Sequence, residues 1–309
     1  MSWPRKIVSL ASQAPGVTRV FLASTRPRRF VILCYHRVND DDHPFFTGTP
    51  LGLFRRQMET LRRYFTVLPL EELAERARRK DLPRNGVALT FDDGYRDNYT
   101  DAFLVLRDLE LPATIFLTTS ALDENALIWH DRVFDAFNRT LRTEMRASLP
   151  AVLAQLRRSS PEERDSRITQ LLEDLGIEPG VPGGWEKLTW PQVREMASQG
   201  ITFGAHTLDH PILTCVSEEE ARRQIRESKR RIEAELGSKV TMFAYPNGAA
   251  SDFDQTTERI VGEEGFSLAV TTVFGANDES TNPYALRRTG MWGDDPQLSM
   301  LRLALARRS

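Results

Sequence analysis

A chain of 309 residues suits one large domain or two small ones, and an α/β barrel commonly reaches this length as a single unit. Hydrophobic residues make up 40% and charged residues 27%, enough for a sizeable core beneath a solvated surface. The formal net charge of -2 gives no electrostatic case for a nucleic-acid partner, and two cysteines, Cys34 and Cys215, provide neither a disulfide framework nor a cysteine zinc site.

In chain order, residues 1–29 read as an N-terminal extension. Arg5 and Lys6 precede Ile7-Val8-Ser9-Leu10-Ala11, a run shorter than a signal-peptide core, and Gln13 and Pro15 keep it from extending. No stretch approaches the roughly 20 apolar residues that cross a bilayer. A cytoplasmic location is therefore expected, with peripheral membrane contact through the basic N-terminus left open. The clusters Arg26-Pro27-Arg28-Arg29 and Arg222-Arg223 read as solvated surface, because acidic residues balance them nearby.

Strand-like runs recur at 30–35, 65–70, 86–91, 112–118, 201–205, 240–245 and 267–272, with a short further candidate at 285–292. Several are continuously apolar, as in parallel strands covered on both faces. Cys34, inside the first run, reads as a buried small hydrophobe. Helical segments lie between the strands. The pairs Thr189/Gln192 and Ser217/Glu220 have capping-box spacing. The segment 217–236 sets Ala221, Ile225, Ile232 and Leu236 near helical spacing, and Gly237 is a helix stop. This strand–helix alternation predicts an α/β barrel or a doubly wound sheet.

Residues 129–178 break the rhythm, with no strand signal and helices expected over roughly 131–141, 144–157 and 161–175. A loop holding Pro179, Gly180, Pro182, Gly183 and Gly184 comes next. The stretch reads as a helical insertion of about 129–184 after the 112–118 strand, either packing the barrel flank or acting as a substrate lid.

Two short motifs carry the chemistry, each directly after an apolar run: Thr90-Phe91-Asp92-Asp93-Gly94 and His206-Thr207-Leu208-Asp209-His210. Parallel α/β folds place their ligand sites at such strand ends. Alone, Asp-Asp-Gly also fits a helix-capping turn. Two of the five histidines directly after a strand change that balance, since both imidazoles can reach one cation and leave room for a carboxylate and water. Two ordinary surface histidines are the plainer alternative.

The motifs at 90–94 and 206–210 resemble the first two motifs of the polysaccharide deacetylase family, the NodB-homology domain of carbohydrate esterase family 4. Cys34-Tyr35-His36-Arg37-Val38 looks like the opening of its exopolysaccharide-type branch. The resemblance covers roughly 30–292, interrupted by the insertion. It implies a distorted (β/α)7 TIM-like barrel over 30–309 and removal of N-acetyl groups from a glycan or glycan precursor. It makes Asp93, His206 and His210 the ligands of a divalent metal, with zinc expected, and Asp92 the general base. The third family motif aligns with Ala244-Tyr245-Pro246-Asn247-Gly248, which implies substrate binding there and an oxyanion contact from the Asn247 amide.

The chain also departs from the family pattern. The family arginine that orients the base falls at Ala244, and Arg288 is the candidate to supply that guanidinium, against the alternative of an ordinary surface arginine. No histidine follows His210, so the late catalytic histidine is missing. His36 is the expected replacement as general acid, with a structural histidine as the alternative. His130 is a weaker candidate, and His43, amid Asp40, Asp41 and Asp42, reads as loop surface. Tyr35, Tyr95, Trp129, Tyr245 and Trp292 are candidates to stack on sugar faces, with core packing the plainer alternative for any one of them. Two other readings stay open. One is a metal amidohydrolase acting on a small non-sugar amide or on a lipid-linked sugar. The other is a non-catalytic glycan-binding module, which would not need a base beside a metal.

Overall fold

The apolar runs become the staves of a closed barrel. The computed structural model describes residues 28–290, apart from 42, 125, 141, 142 and 179–183. The strands are β1 (Val31–Tyr35), β2 (Thr66–Val67), β3 (Gly86–Phe91), β4 (Thr114–Leu117), β5 (Thr202–Ala205), β6 (Met242–Ala244), β7 (Leu268–Phe274) and β8 (Leu286–Gly290). β1 pairs in parallel with β3 on one side and β8 on the other. Parallel pairing from β3 through β8 completes a ring of seven strands. The run expected at 65–70 contracts to β2, which pairs with the start of β3 outside this ring. Pro69 ends it, lacking the N–H a ladder needs, and a helix starts at Leu70.

The helices are α1 (Leu51–Tyr64), α2 (Leu70–Arg78), α3 (Phe103–Asp108), α4 (Thr119–Glu124), α5 (Trp129–Arg139), α6 (Leu149–Leu156), α7 (Pro161–Leu175), α8 (Trp190–Ser198), α9 (Glu218–Leu236) and α10 (Gln255–Glu263). The expected stops and starts operate. Ser217 Oγ accepts from Glu220 N at 3.2 Å, and Gly237 closes α9 in a left-handed conformation with φ 63°. The Thr189 amide donates to Gln192 Oε1 at 2.9 Å ahead of α8. Ala221, Ile225 and Ile232 are the buried stripe that α9 lays against the barrel.

Strand alternation gives each stave two apolar faces. Val31, Leu33, Val87, Leu89, Phe203 and Phe243 pack between barrel and helices. Ile32, Ala88, Phe116, Met242, Val270 and Leu286 form a second cluster, which fills the barrel interior. That double burial is why the runs read as continuously apolar. Toward the strands' C-terminal ends the interior positions turn polar: Thr90 and Asp92 share the parity of Ala88, His206 that of Gly204, and Arg288 that of Leu286.

The insertion lies between β4 and α8. Its first helix begins at Trp129, its second is shortened by a preceding 3₁₀ turn over Thr143–Ser148, and its third spans Pro161–Leu175 as expected. Val133, Phe137, Leu156, Ile168 and Leu172 give it a core of its own. No helix among the described residues is long and apolar enough to cross a membrane.

Candidate active site

The chain leaves β3 through two consecutive left-handed residues, Asp93 at φ 71° and Gly94 at φ 65°. A Cβ on Gly94 would meet Leu117 Cδ2 at 2.9 Å, so the tight exit and the packing both call for glycine. The loop after β5 is strained in the same sense, with Thr207 at φ 68° and His210 at φ 57°. Three contacts hold it. Thr207 Oγ1 accepts from His210 N at 3.1 Å, and Gln224 Oε1 on α9 accepts from both Leu208 N and Asp209 N at 3.0 Å. Gln224 lay unnoticed in the sequence, where one polar residue on a charge-rich helix gives no signal.

These turns bring Asp93, His206 and His210 together. Asp93 Oδ1 is 3.4 Å from Nε2 of each imidazole, and it is buried without a hydrogen-bond partner. His206 Nδ1 lies 2.7 Å from the Ala244 carbonyl; donation there leaves the Nε2 lone pair facing Asp93. One carboxylate and two imidazoles, with ligand atoms within 4.8 Å of one another, make a donor set that fits a divalent cation. Burial pushes the His210 imidazole well below its ordinary pKa, toward the neutral form a ligand needs. Burial opposes the Asp93 charge, but the surrounding His206, His210 and His130 hold its carboxyl well below the usual range.

Asp92 points along the interior. Arg288 meets it bidentately, Nη1 to Oδ1 at 2.8 Å and Nη2 to Oδ2 at 2.6 Å. The same guanidinium donates from Nε to the Thr271 carbonyl at 2.7 Å, in the stretch where the β7–β8 register is irregular. Arg288 is 1% exposed, so it is no surface arginine. Burial works against ionised Asp92, yet Arg288 and then His206 hold its carboxyl below the usual range. The position where the family arginine would stand, Ala244, offers its backbone carbonyl to His206 instead.

His36 leaves β1 beside this pair: one atom each of Cys34, His36 and Asp92 lie within 4.8 Å of one another. Burial lowers the His36 pKa, against the opposing pull of Asp93 and Asp92. Cys34 is buried as expected, with Sγ 3.6 Å from Asp92 Oδ2, and burial pushes its thiol up into the protonated form. His130 stands closer to the centre than its sequence context implied, with Nε2 4.0 Å from Asp93 Oδ2 and its ring 4.9 Å from that of His210.

For the aromatic candidates among the described residues, the structure shows the core-packing alternative. Tyr35 and Tyr245 point between barrel and helices. Tyr35 OH donates to Gln57 Oε1 and Tyr245 OH to the Tyr284 carbonyl, so neither ring is open to a sugar. Tyr95 is also buried, donating to Asp131 Oδ1 at 2.6 Å. Trp129 is buried, with its indole N–H directed to the His210 carbonyl at 3.2 Å. Pro246 is buried as well, while Asn247 keeps partial exposure and a left-handed φ of 58°. His43 is not loop surface: it is 9% exposed, and its Nδ1 accepts from the Phe46 amide at 3.1 Å. Trp292 lies outside the described residues.

The insertion is fastened to this site. Asp131 Oδ2 takes Lys187 Nζ at 2.9 Å, both side chains fully buried, and the ammonium lies 3.5 Å from the centre of the Tyr95 ring.

Comparison with known proteins agrees with this architecture. The polysaccharide deacetylase family model matches residues 79–269. A curated relative from Bacillus subtilis (strain 168), YxkH, whose name assigns it provisionally to the polysaccharide deacetylases, is 23% identical over 287 residues, 92% of this chain and 79% of its own length. Among solved structures, the Streptococcus pyogenes deacetylase PplD in complex with acetate aligns with TM-score 0.66 at 20% identity, over 89% of this chain and 98% of that one. IcaB from Ammonifex degensii aligns with TM-score 0.62 at 22% identity, over 91% and 98%. At these identities the structural matches speak for the fold.

Proposed function

Because the chain belongs to the polysaccharide deacetylase family, we propose that it is a metal-dependent hydrolase removing N-acetyl groups from an amino-sugar glycan or glycan precursor. The observation that carries this reading is the buried Asp93–His206–His210 cluster beside an Asp92 locked by Arg288. Asp93 Oδ1 and the two Nε2 atoms would hold the ion. Zinc suits this donor set, and when bound it would polarise the acetyl carbonyl and acidify a water.

The protein's own groups divide the remaining work. Asp92, kept ionised by Arg288, takes the proton of the attacking water. Arg288 acts as a positioning residue, fixing the carboxylate through its forked contact. The Asn247 amide is assigned to the developing oxyanion, the kind of contact that is often the largest electrostatic contribution. His36 is assigned to protonate the leaving amine as the C–N bond breaks. Burial favours its neutral form, so the proton it delivers is one taken up during the reaction, in balance with the proton Asp92 removes from the water. Acetate and the free amine leave. The insertion, with its own core and the buried Asp131–Lys187 fastening, is read as a fixed wall of the site rather than a moving lid.

The test is acetate release from N-acetylglucosamine oligomers by the zinc-loaded protein. Asp92→Asn is expected to lower the rate by ~10²–10⁴-fold, the usual worth of a general base, while keeping its metal. A zinc-loaded protein that binds these glycans yet releases no acetate from any of them would sink the hydrolase reading and favour the binding module.

A further inference from the structure

A cavity of about 790 Å³ lies beside the proposed centre, between the start of the insertion and the loop after β5. Trp129, Arg164, Asp209 and Pro211 are among its lining residues, and none of the assigned catalytic or metal-binding residues is. Arg164 is 3% exposed, and its Nη1 is buried with no hydrogen-bond partner. The acids around the cavity are engaged elsewhere or open to water. Asp165 pairs with Arg132 at 2.9 Å, Glu220 with Arg223 at 2.7 Å, and Asp209 accepts from Gln224 at 2.7 Å. Glu162 is exposed.

A guanidinium nitrogen taken out of water without an acceptor is disfavoured, and native proteins rarely leave one so. The Trp129 ring, 4.9 Å from Arg164 Cζ, offsets part of that cost but offers the N–H groups no oxygen. Burial accordingly pulls Arg164 below its ordinary pKa, against weak opposition from Asp165, Cys215 and Glu162. Such a donor, at the edge of a cavity with room for a sugar, suits an oxyanion.

We propose that this cavity is an oxyanion subsite, in which Arg164, backed by Trp129, takes a phosphate or carboxylate group of an anionic glycan. The fork of N–H donors matches both groups. The subsite adjoins the centre: Pro211 follows the metal-ligand candidate His210, whose carbonyl accepts from the Trp129 indole. The assignment to a glycan rests on the hydrolase reading; oxyanion binding itself does not.

The experiment is calorimetric titration with inorganic phosphate and, separately, with glucuronate. It is run in the His206→Ala background, so that neither probe gathers at a metal centre, and repeated with the zinc-loaded wild type. At least one probe is expected to bind near one equivalent, with affinity lowered at least tenfold by Arg164→Gln and less by Arg164→Lys. Binding of phosphate alone assigns a phosphorylated glycan, and binding of glucuronate alone a uronate. Should Arg164→Gln fail to fold, the Lys variant and the phosphate dependence of the wild-type melting temperature, at matched ionic strength in chloride, carry the test. No binding of either probe, or equal affinity in the folded variants, overturns the proposal. Because the readout is binding, it stands apart from whether the protein releases acetate.

Discussion

Replacing Arg288 with alanine would strand the Asp92 carboxylate inside the barrel. The pair is joined by bonds of 2.8 and 2.6 Å, with side-chain exposures of 0% and 3%. Breaking such a buried pair typically costs ~3–5 kcal/mol, a large share of the roughly 5–15 kcal/mol by which domains are stable. The loss also orphans the Thr271 carbonyl that now accepts from Nε. Asp92 would respond by holding its proton, because removing the neighbouring cation raises its carboxyl pKa. Its folded pKa now lies below 3.8, so the pair's contribution is present above that value and is lost as pH falls through the folded one. The penalty of Arg288→Ala should therefore be largest near neutrality and shrink toward pH 4. Urea unfolding at several pH values measures this. The acidic limb of the kcat/KM profile of the zinc-loaded enzyme should move up in parallel. Adding Asp92→Asn should recover much of the lost stability, because no buried charge then remains. An Arg288→Ala protein within ~0.5 kcal/mol of wild type, with an unshifted profile, would refute the argument.

Calorimetry of the chelator-stripped protein should find one tight zinc site, lost in His206→Ala; indifference to that change would remove the ligand set. Burial keeps His36 neutral in the fold, so the unfolded chain binds more protons below pH 6.5, and stability should fall as pH drops from there toward the lower folded value. His36→Asn should flatten that slope by up to about 1.4 kcal/mol per pH unit in denaturation experiments, and an unchanged slope would show that the imidazole is freely solvated. Lys187→Met leaves the buried Asp131 carboxylate without its ammonium partner, with only the Tyr95 hydroxyl and His130 beside it, and should cost up to ~3–5 kcal/mol, most of it restored by adding Asp131→Asn. A loss below ~1 kcal/mol would mean that the insertion is fastened by its apolar contacts.

The parts of the site legible in the sequence were those written locally. Asp92 and Asp93 directly follow an apolar run, and His206 and His210 sit four residues apart after another, so a strand-end turn alone brings each pair to the mouth of a barrel. The helix caps at Ser217 and Gly237 were legible for the same reason: the interacting groups are close neighbours in the chain. Aromatic positions were not. Tyr35 and Tyr245 have the right composition for sugar stacking, but strand parity turns them outward, and nothing in a continuously apolar run marks which face is which.

The sequence by itself determined the strand–helix alternation and the Asp-Asp and His-His motifs, because periodicity and strand-end turns are local properties. Alternation alone left a barrel and a doubly wound sheet both open, and the barrel came from the family resemblance. Only the tertiary structure decided that Arg288 reaches Asp92 across 196 residues, since ring closure between β1 and β8 is what brings them to one interior. It likewise decided that Arg164 is buried with its Nη1 unpaired. The helix around it is rich in charge, and packing that includes the Trp129 ring takes the residue out of water.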